Sequence, residues 1–378
     1  MSPAPANPAP VLAHWIDHPD TLQRWLSTPP ARIGLDTEFI RERTYWPKLA
    51  LVQIALPTPD GVEILLVDPL VPGMTQAIAP LLADASVLKI MHSPSEDLIA
   101  LRHACGEVPR PLFDTQAAAA LAGIGSGMGY QKLVAELTGV ALAKGETRSD
   151  WMRRPLSPSQ LEYAADDVAH LFEMHDALAQ RLAGLGRQAW LEADMQRTVE
   201  LAIEDAPETW PHLAMRSAQF LDAAAQARLL RLLRWRDAHA RRVDLPRSWV
   251  LDNELAASLA RNPPATREAL SQAINAHPKG PRKLVDAVWT ALATPLDDEA
   301  QAPDASLAER RDKARIKALQ DAVSRRAAEL GLADGVLASR RMLEPLVDTG
   351  RWPDTLQGWR REQLEPVLAP LIPAANPS

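Results

Sequence analysis

The stretch Ile33-Gly34-Leu35-Asp36-Thr37-Glu38-Phe39 sets two carboxylates two positions apart inside an otherwise apolar run. On an extended strand such residues project from the same face, so Asp36 and Glu38 share one site. Like charges this close repel, and burying either without compensation is costly. A divalent cation compensates most simply, because carboxylate oxygens are the ligands that Mg²⁺ and Mn²⁺ prefer. A solvated acidic edge strand is the bland reading of the same pattern. Two later groupings carry similar chemistry. In Lys89-Ile90-Met91-His92-Ser93-Pro94-Ser95-Glu96-Asp97 a strand runs into a helix start. There Ser93 or Ser95 is a candidate N-cap, and acids in the first turn suit the helix dipole on their own. In Tyr163-Ala164-Ala165-Asp166-Asp167, Tyr163 and Asp167 are four apart and share one helix face. Asp166, three from Tyr163, competes for the same role, and spacing does not choose between them.

The elements that must position these groups are legible in the hydrophobic pattern. A helix is expected from Trp15 to Ser27, ended by Pro29-Pro30, then strands at Ile33–Phe39, Leu49–Leu56 and Val62–Asp68. Short connections between these strands favour an antiparallel meander. A helix Met74–Ala83, a strand Val87–Met91, and helices at 95–104, 114–122, 130–137 and 157–182 follow. Strands first, then crossovers and helices, predict a mixed sheet flanked by helices. The glycine-rich run 123–129 follows a helix rather than a strand, so it reads as a loop and not as a dinucleotide-binding turn.

Taken in order, the three groupings resemble the Tyr-containing branch of the DEDD exonuclease superfamily, of the ribonuclease D type. The matching residues are Asp36, Glu38, Asp97, Tyr163 and Asp167. The flanking Leu49-Ala50-Leu51-Val52-Gln53-Ile54, Phe113-Asp114-Thr115-Gln116 and Ser149-Asp150-Trp151 are similar too. The resemblance covers roughly residues 30–185 and favours Asp167 over Asp166. It implies a ribonuclease H-like α/β fold and phosphodiester hydrolysis at a 3′ end by two divalent ions, Mg²⁺ or Mn²⁺. Asp36, Glu38, Asp97 and Asp167 would hold the metals, and Tyr163 would orient water. His92, Trp151, Arg153 and Arg154 are weaker candidates for substrate contact.

Charge divides the chain. Residues 1–208 carry 16 Lys+Arg against 27 Asp+Glu, whereas residues 209–295 carry 13 against 7. The acidic front needs cations, while the basic middle suits phosphates. Leu229-Leu230-Arg231-Leu232-Leu233-Arg234-Trp235-Arg236 and Pro246-Arg247-Ser248-Trp249-Val250-Leu251 resemble the HRDC domain. That resemblance implies nucleic-acid binding, with Arg234, Arg236, Arg241 and Arg242 as candidate contacts. The ending Trp359-Arg360-Arg361-Glu362-Gln363-Leu364 is similar to a second, more divergent HRDC repeat. The expected organisation is therefore a leader and first helix over 1–28, an exonuclease domain over 29–205, and two all-α HRDC-type domains over 212–294 and 305–373.

A single cysteine, Cys105, rules out an intramolecular disulfide and a Cys-based zinc site. The opening MSPAPANPAP lacks a basic and an apolar region, so it is not expected to be a signal peptide, and no run is apolar enough to span a membrane. These readings predict a cytoplasmic, monomeric 3′→5′ exoribonuclease acting on structured RNA such as tRNA precursors. A 3′→5′ DNA exonuclease, or a non-catalytic RNA-binding protein on a nuclease fold, are the alternatives.

Overall fold

The computed structural model describes residues 12–59, 61–142, 149–307 and 311–372. The expected Pro/Ala leader, residues 1–11, lies outside the described residues. The chain divides into two compact units, one of residues 1–40, 47–205 and 313–378, the other of residues 41–46 and 206–312.

The first unit is built on a six-stranded sheet: β1 (Leu12–Ile16), β2 (Arg32–Ile40), β3 (Lys48–Thr58), β4 (Gly61–Val67), β5 (Leu88–Met91) and β6 (Leu112–Asp114). The strand order is β1-β4-β3-β2-β5-β6. Strands β2, β3 and β4 form the expected antiparallel meander, whereas β1, β5 and β6 join in parallel, so the sheet is mixed. β3 lies inside the sheet because Leu49 to Leu56 is buried on both faces, which removes the usual polar alternation. Helices α1 (Pro19–Trp25), α2 (Met74–Ala83), α3 (Ser95–Cys105), α4 (Thr115–Leu121), α5 (Tyr130–Thr138), α6 (Pro158–Ala169), α7 (Leu171–Leu185) and α8 (Gln188–Glu204) complete its α/β part.

Three local expectations are corrected. Trp15 and Ile16, expected to begin the first helix, instead end strand β1, which pairs along its whole length with Glu63–Val67, and the helix starts at Pro19. The expected helix 157–182 is two helices, since His170 leaves helical geometry at the join of α6 and α7, where its N–H meets the Tyr130 hydroxyl. Neither Ser93 nor Ser95 caps α3; Pro94 holds that position without a side-chain cap.

Helices Lys313–Glu329, Arg340–Thr349 and Trp359–Leu368 belong to the first unit rather than standing apart as an independent body. Their apolar faces join its core through Leu319, Leu343 and Leu364. Asp194 of α8 accepts from Trp359 Nε1 at 3.0 Å and from both terminal nitrogens of Arg360, while Trp190 stacks on Trp359 at 4.4 Å.

The second unit is helical, with α9 (Ala223–Val243), α10 (Arg247–Val250), α11 (Asn253–Arg261), α12 (Arg267–Ala276) and α13 (Val285–Ala293). Leu229, Leu233, Leu255, Leu259, Ile274 and Val288 form its own core. Residues 41–46 are part of it: the Tyr45 hydroxyl donates to Asp237 at 2.9 Å and accepts from Arg241 and Arg247.

Candidate active site

Asp36 and Glu38 occupy one face of β2, just before a bulge that breaks the β2–β3 register between Glu38 and Phe39. A bulge bends a strand and re-aims the side chains beside it. Gly34 precedes them on the same face. A Cβ there would come within 3.0 Å of Ala55 and 3.1 Å of Leu171, so glycine lets α7 approach the sheet beneath the acids.

Asp97 stands in the first turn of α3, with 8% of its surface exposed. The entry to that helix is set by Asp114, whose Oδ1 accepts from the N–H of Ser93 and from that of Gln116, both at 2.8 Å. The first bond holds the Ser93 turn, where φ is +55°, and the second caps α4. Ionised carboxylates suit both the helix start and the turn amides. Thr37, on the face of β2 opposite Asp36, donates through Oγ1 to Asp97 Oδ1 at 2.5 Å.

Tyr163 and Asp167 lie on α6, whose first turn is fixed by a capping box between Ser157 and Gln160. Tyr163 and Asp167 stand one turn apart on one face of the helix, near enough for the carboxylate to push the phenol's pKa up. Trp151, buried, sets its ring 6.1 Å from that of Tyr163, so it packs behind the tyrosine. Asp166 lies apart, lining a separate hollow with Ala13, Trp15 and Leu66.

Burial, then the charges of Asp97, Asp167 and Glu38, push Asp36 well above the usual carboxylate range. Burial, then the charges of Asp167 and Asp97, raise Glu38 to about 8. Burial raises Asp97 to about 6, opposed by the Thr37 hydroxyl and helped by Glu96 and Asp114, and raises Asp167 to about 7, opposed by the nearby Tyr163 hydroxyl and helped by Asp166. Burial, then Asp167 and Glu38, raise Tyr163 above its ordinary value, so its phenol keeps its proton at neutral pH and is no base.

Four clustered carboxylates with no cation among them are what a hard divalent ion would relieve, and an all-oxygen donor set fits Mg²⁺ or Mn²⁺. Among the described residues no three acidic, His or Cys side chains already stand close enough to share one ion. The acids feel one another electrostatically without being drawn to ligand distance. A cavity of about 630 Å³ between β6, α7 and α8 contains none of the five residues.

The weaker candidates fare differently. Arg154 is bound within the fold: Nε and one terminal nitrogen pair with Asp68 at 2.7 Å, the same terminal nitrogen reaches the Ala50 carbonyl, and the other reaches the Trp151 carbonyl. Arg153 is exposed. His92 is partly buried, with Nδ1 2.8 Å from Thr115 Oγ1 and its ring against Tyr130; burial holds it neutral, its pKa lowered to about 4.

In the second unit the arginine row of α9 is largely tied to protein groups. Arg234 grips Asp298 and the Thr209 carbonyl, Arg236 is buried against Leu251 O and Asn253, and Arg241 reaches Asp237 and Tyr45. Arg242 is exposed beside His239, and Lys279, Arg282 and Lys283 are exposed as well. Sequence spacing alone did not separate the exposed cations from the paired ones. One residue beside the acids went unassigned from sequence, Gln53, a buried amide whose only signal is a polar residue amid the apolar run of β3.

Comparison with known proteins fits this geometry. A family model described as 3′-5′ exonuclease matches residues 13–183, and one described as HRDC domain matches residues 225–292. The chain is 59% identical to a ribonuclease D of Xanthomonas oryzae pv. oryzae, over 97% of this chain and all of that one. It is 35% identical to a ribonuclease D of Pseudomonas paraeruginosa, covering 93% of this chain and 94% of the other. Among solved structures it resembles Escherichia coli RNase D, described as an exoribonuclease involved in structured RNA processing. That match has a TM-score of 0.78 and 29% identity, and covers 95% of this chain and 98% of the other.

Proposed function

Because the chain belongs to the ribonuclease D family, and is thus a metal-dependent 3′→5′ exoribonuclease, we propose that Asp36, Glu38, Asp97, Tyr163 and Asp167 are its catalytic residues. The observation that carries this reading is that Asp36 and Glu38, on one face of β2, are both raised by burial and by the charges of Asp97 and Asp167, which marks one site built to receive positive charge. Asp36, Glu38, Asp97 and Asp167 would hold two divalent ions, Mg²⁺ or Mn²⁺. When bound, such ions activate water and stabilise the charge that develops on the phosphate and leaving oxygens.

The remaining work falls to the side chains. Tyr163 keeps its proton beside Asp167, and its hydroxyl would orient a water and hold it in line with the terminal phosphodiester. Trp151 keeps the tyrosine ring in place and Thr37 holds Asp97. The leaving oxygen is the 3′-oxygen of the penultimate nucleotide, so each turnover releases a nucleoside 5′-monophosphate.

We read the substrate as structured RNA with a 3′ extension, such as a tRNA precursor, in keeping with the description of the E. coli relative. The HRDC domain would add phosphate contacts through exposed cations such as Arg242, Arg282 and Lys283. The last helices, 305–373, are read as a divergent HRDC-like module. One chain supplies all five residues, which supports a monomer as the working unit. Among the described residues no helix is long and apolar enough to cross a membrane, and the cytoplasm is the proposed location.

The test is a 5′-labelled RNA with a folded body and a 3′ tail, incubated with and without Mg²⁺ beside matched single-stranded DNA and the Asp36→Ala protein. Stepwise shortening from the 3′ end that needs the metal, prefers RNA and vanishes in the variant supports the reading. Shortening that survives in Asp36→Ala overturns it.

A further inference from the structure

Gln53 stands directly opposite Asp36 in the antiparallel register of β2 and β3. Opposed residues of an antiparallel pair project from the same face, with Cβ atoms about 5 Å apart. Its other cross-strand neighbour, on β4, is Leu66, and Leu51 and Ala55 share its face along β3. The side chain has none of its surface exposed, and both Nε2 and Oε1 lack a hydrogen-bond partner among the described residues. A buried carboxamide with neither group satisfied is destabilising, and an aliphatic residue of similar size would suit this strand better. Of its two directly opposed cross-strand partners, Asp36 and Leu66, Asp36 is the one with a group that an amide can bond, and Glu38 lies one diagonal step farther along β2.

We propose that Gln53 is a positioning residue for the reaction: its carboxamide N–H donates to the Asp36 carboxylate when that carboxylate holds a divalent ion, and so fixes how Asp36 is presented. Gln53 touches neither the RNA nor the reacting atoms. The proposal rests on the reading of Asp36 as a metal ligand. A charge-assisted amide–carboxylate bond of this kind is strong and directional, and loss of such an outer partner characteristically weakens metal binding about 10- to 100-fold.

The deciding experiment measures Mn²⁺ binding to the full chain by calorimetry without RNA, for the parent, Gln53→Met, Gln53→Leu and Asp36→Asn. Methionine keeps the length and unbranched shape of glutamine and removes both polar groups. The expected result is that Gln53→Met melts, in chelator, no lower than the parent, because an unsatisfied amide has been removed. Its Mn²⁺ affinity falls about tenfold or more, kcat falls at subsaturating metal, and KM for RNA stays put. Gln53→Leu is run alongside so that one poorly packed replacement does not decide the outcome. Parent-like Mn²⁺ affinity and kcat in both Gln53 variants, with Asp36→Asn losing the ion, overturns the role of Gln53 alone. Parent-like Mn²⁺ binding in Asp36→Asn overturns the ligand assignment beneath it.

Discussion

The hydroxyl of Thr37 donates to the carboxylate of Asp97 across 2.5 Å, tying β2 to the first turn of α3. Thr37 lies between Asp36 and Glu38 in sequence yet faces the other way, so one three-residue segment serves both sides of the strand. The bond opposes the rise in the Asp97 pKa that burial causes. Thr37→Val keeps the shape and removes the donor. It should leave an ionised, buried carboxylate short of one partner, which costs about 1–3 kcal/mol. The expected outcome is Mn²⁺ binding and kcat lowered about tenfold, with RNA affinity unchanged, read by calorimetry and a single-turnover assay.

Asp36→Asn separates stability from activity. The parent holds Asp36 among three other acids in a buried setting, and the amide removes that repulsion. In chelator the variant should melt higher than the parent, by about 1 kcal/mol or more of added stability. Its exonuclease rate should fall by about a thousandfold, the scale of several kcal/mol of lost charge stabilisation. A variant that melts lower in chelator would contradict the picture of an acid cluster held against its own repulsion.

The raised acids also fix a pH dependence of stability. Asp97, Asp167 and Glu38 titrate near 6, 7 and 8 in the fold and about 4 when unfolded. Over this window the folded state binds more protons than the unfolded state, so stability is fullest below the unfolded values and is lost as pH rises. In chelator the melting temperature should therefore fall between pH 4 and pH 8. Mg²⁺ or Mn²⁺ should raise it more at pH 8 than at pH 5, because the ion competes with protons for the same oxygens. A melting temperature in chelator that climbs from pH 5 to 8 would contradict the assignment.

Much of this was legible in the sequence because the decisive features are local. Asp36 and Glu38 share a strand face by their spacing, and Tyr163 and Asp167 share a helix face by theirs. What was not legible depends on partners far along the chain. Leu12–Ile16 is a strand only because β4 accepts it, and the helix break at His170 coincides with the hydroxyl of Tyr130, forty residues earlier. The choice of Asp167 over Asp166 came from resemblance; in the fold Asp167 presses on Asp36 and Glu38, while Asp166 lines another hollow. Gln53 looked like part of a buried strand, and its position opposite Asp36 depends on register.

Arg154 and Arg153 are adjacent but should behave oppositely. Arg154 makes a paired, partly buried contact with Asp68 and binds two carbonyls, whereas Arg153 is exposed. Arg154→Ala leaves Asp68 buried and unpaired and should cost about 3 kcal/mol in folding stability. Arg153→Ala should lie within about 0.5 kcal/mol of the parent. Chemical denaturation of both variants checks this, and equal midpoints would show that the Arg154 pair contributes little.

In the HRDC domain the same distinction separates structure from RNA binding. Arg236 donates to Leu251 O and Asn253 inside the unit, so Arg236→Ala should destabilise that unit by about 1–3 kcal/mol without altering how RNA affinity depends on salt. Arg282 and Lys283 are exposed, and replacing both with alanine should leave the melting temperature near that of the parent. If each contacts a phosphate of single-stranded RNA, the slope of log affinity against log salt should shrink by about 0.7 per contact, or about 1.4 for the pair. Binding of the 3′-tailed RNA, titrated from low to moderate salt with the metal-free protein, reads this directly. An unchanged slope in the double variant, with a reduced slope in Arg236→Ala, would assign the phosphate contacts to the α9 row instead.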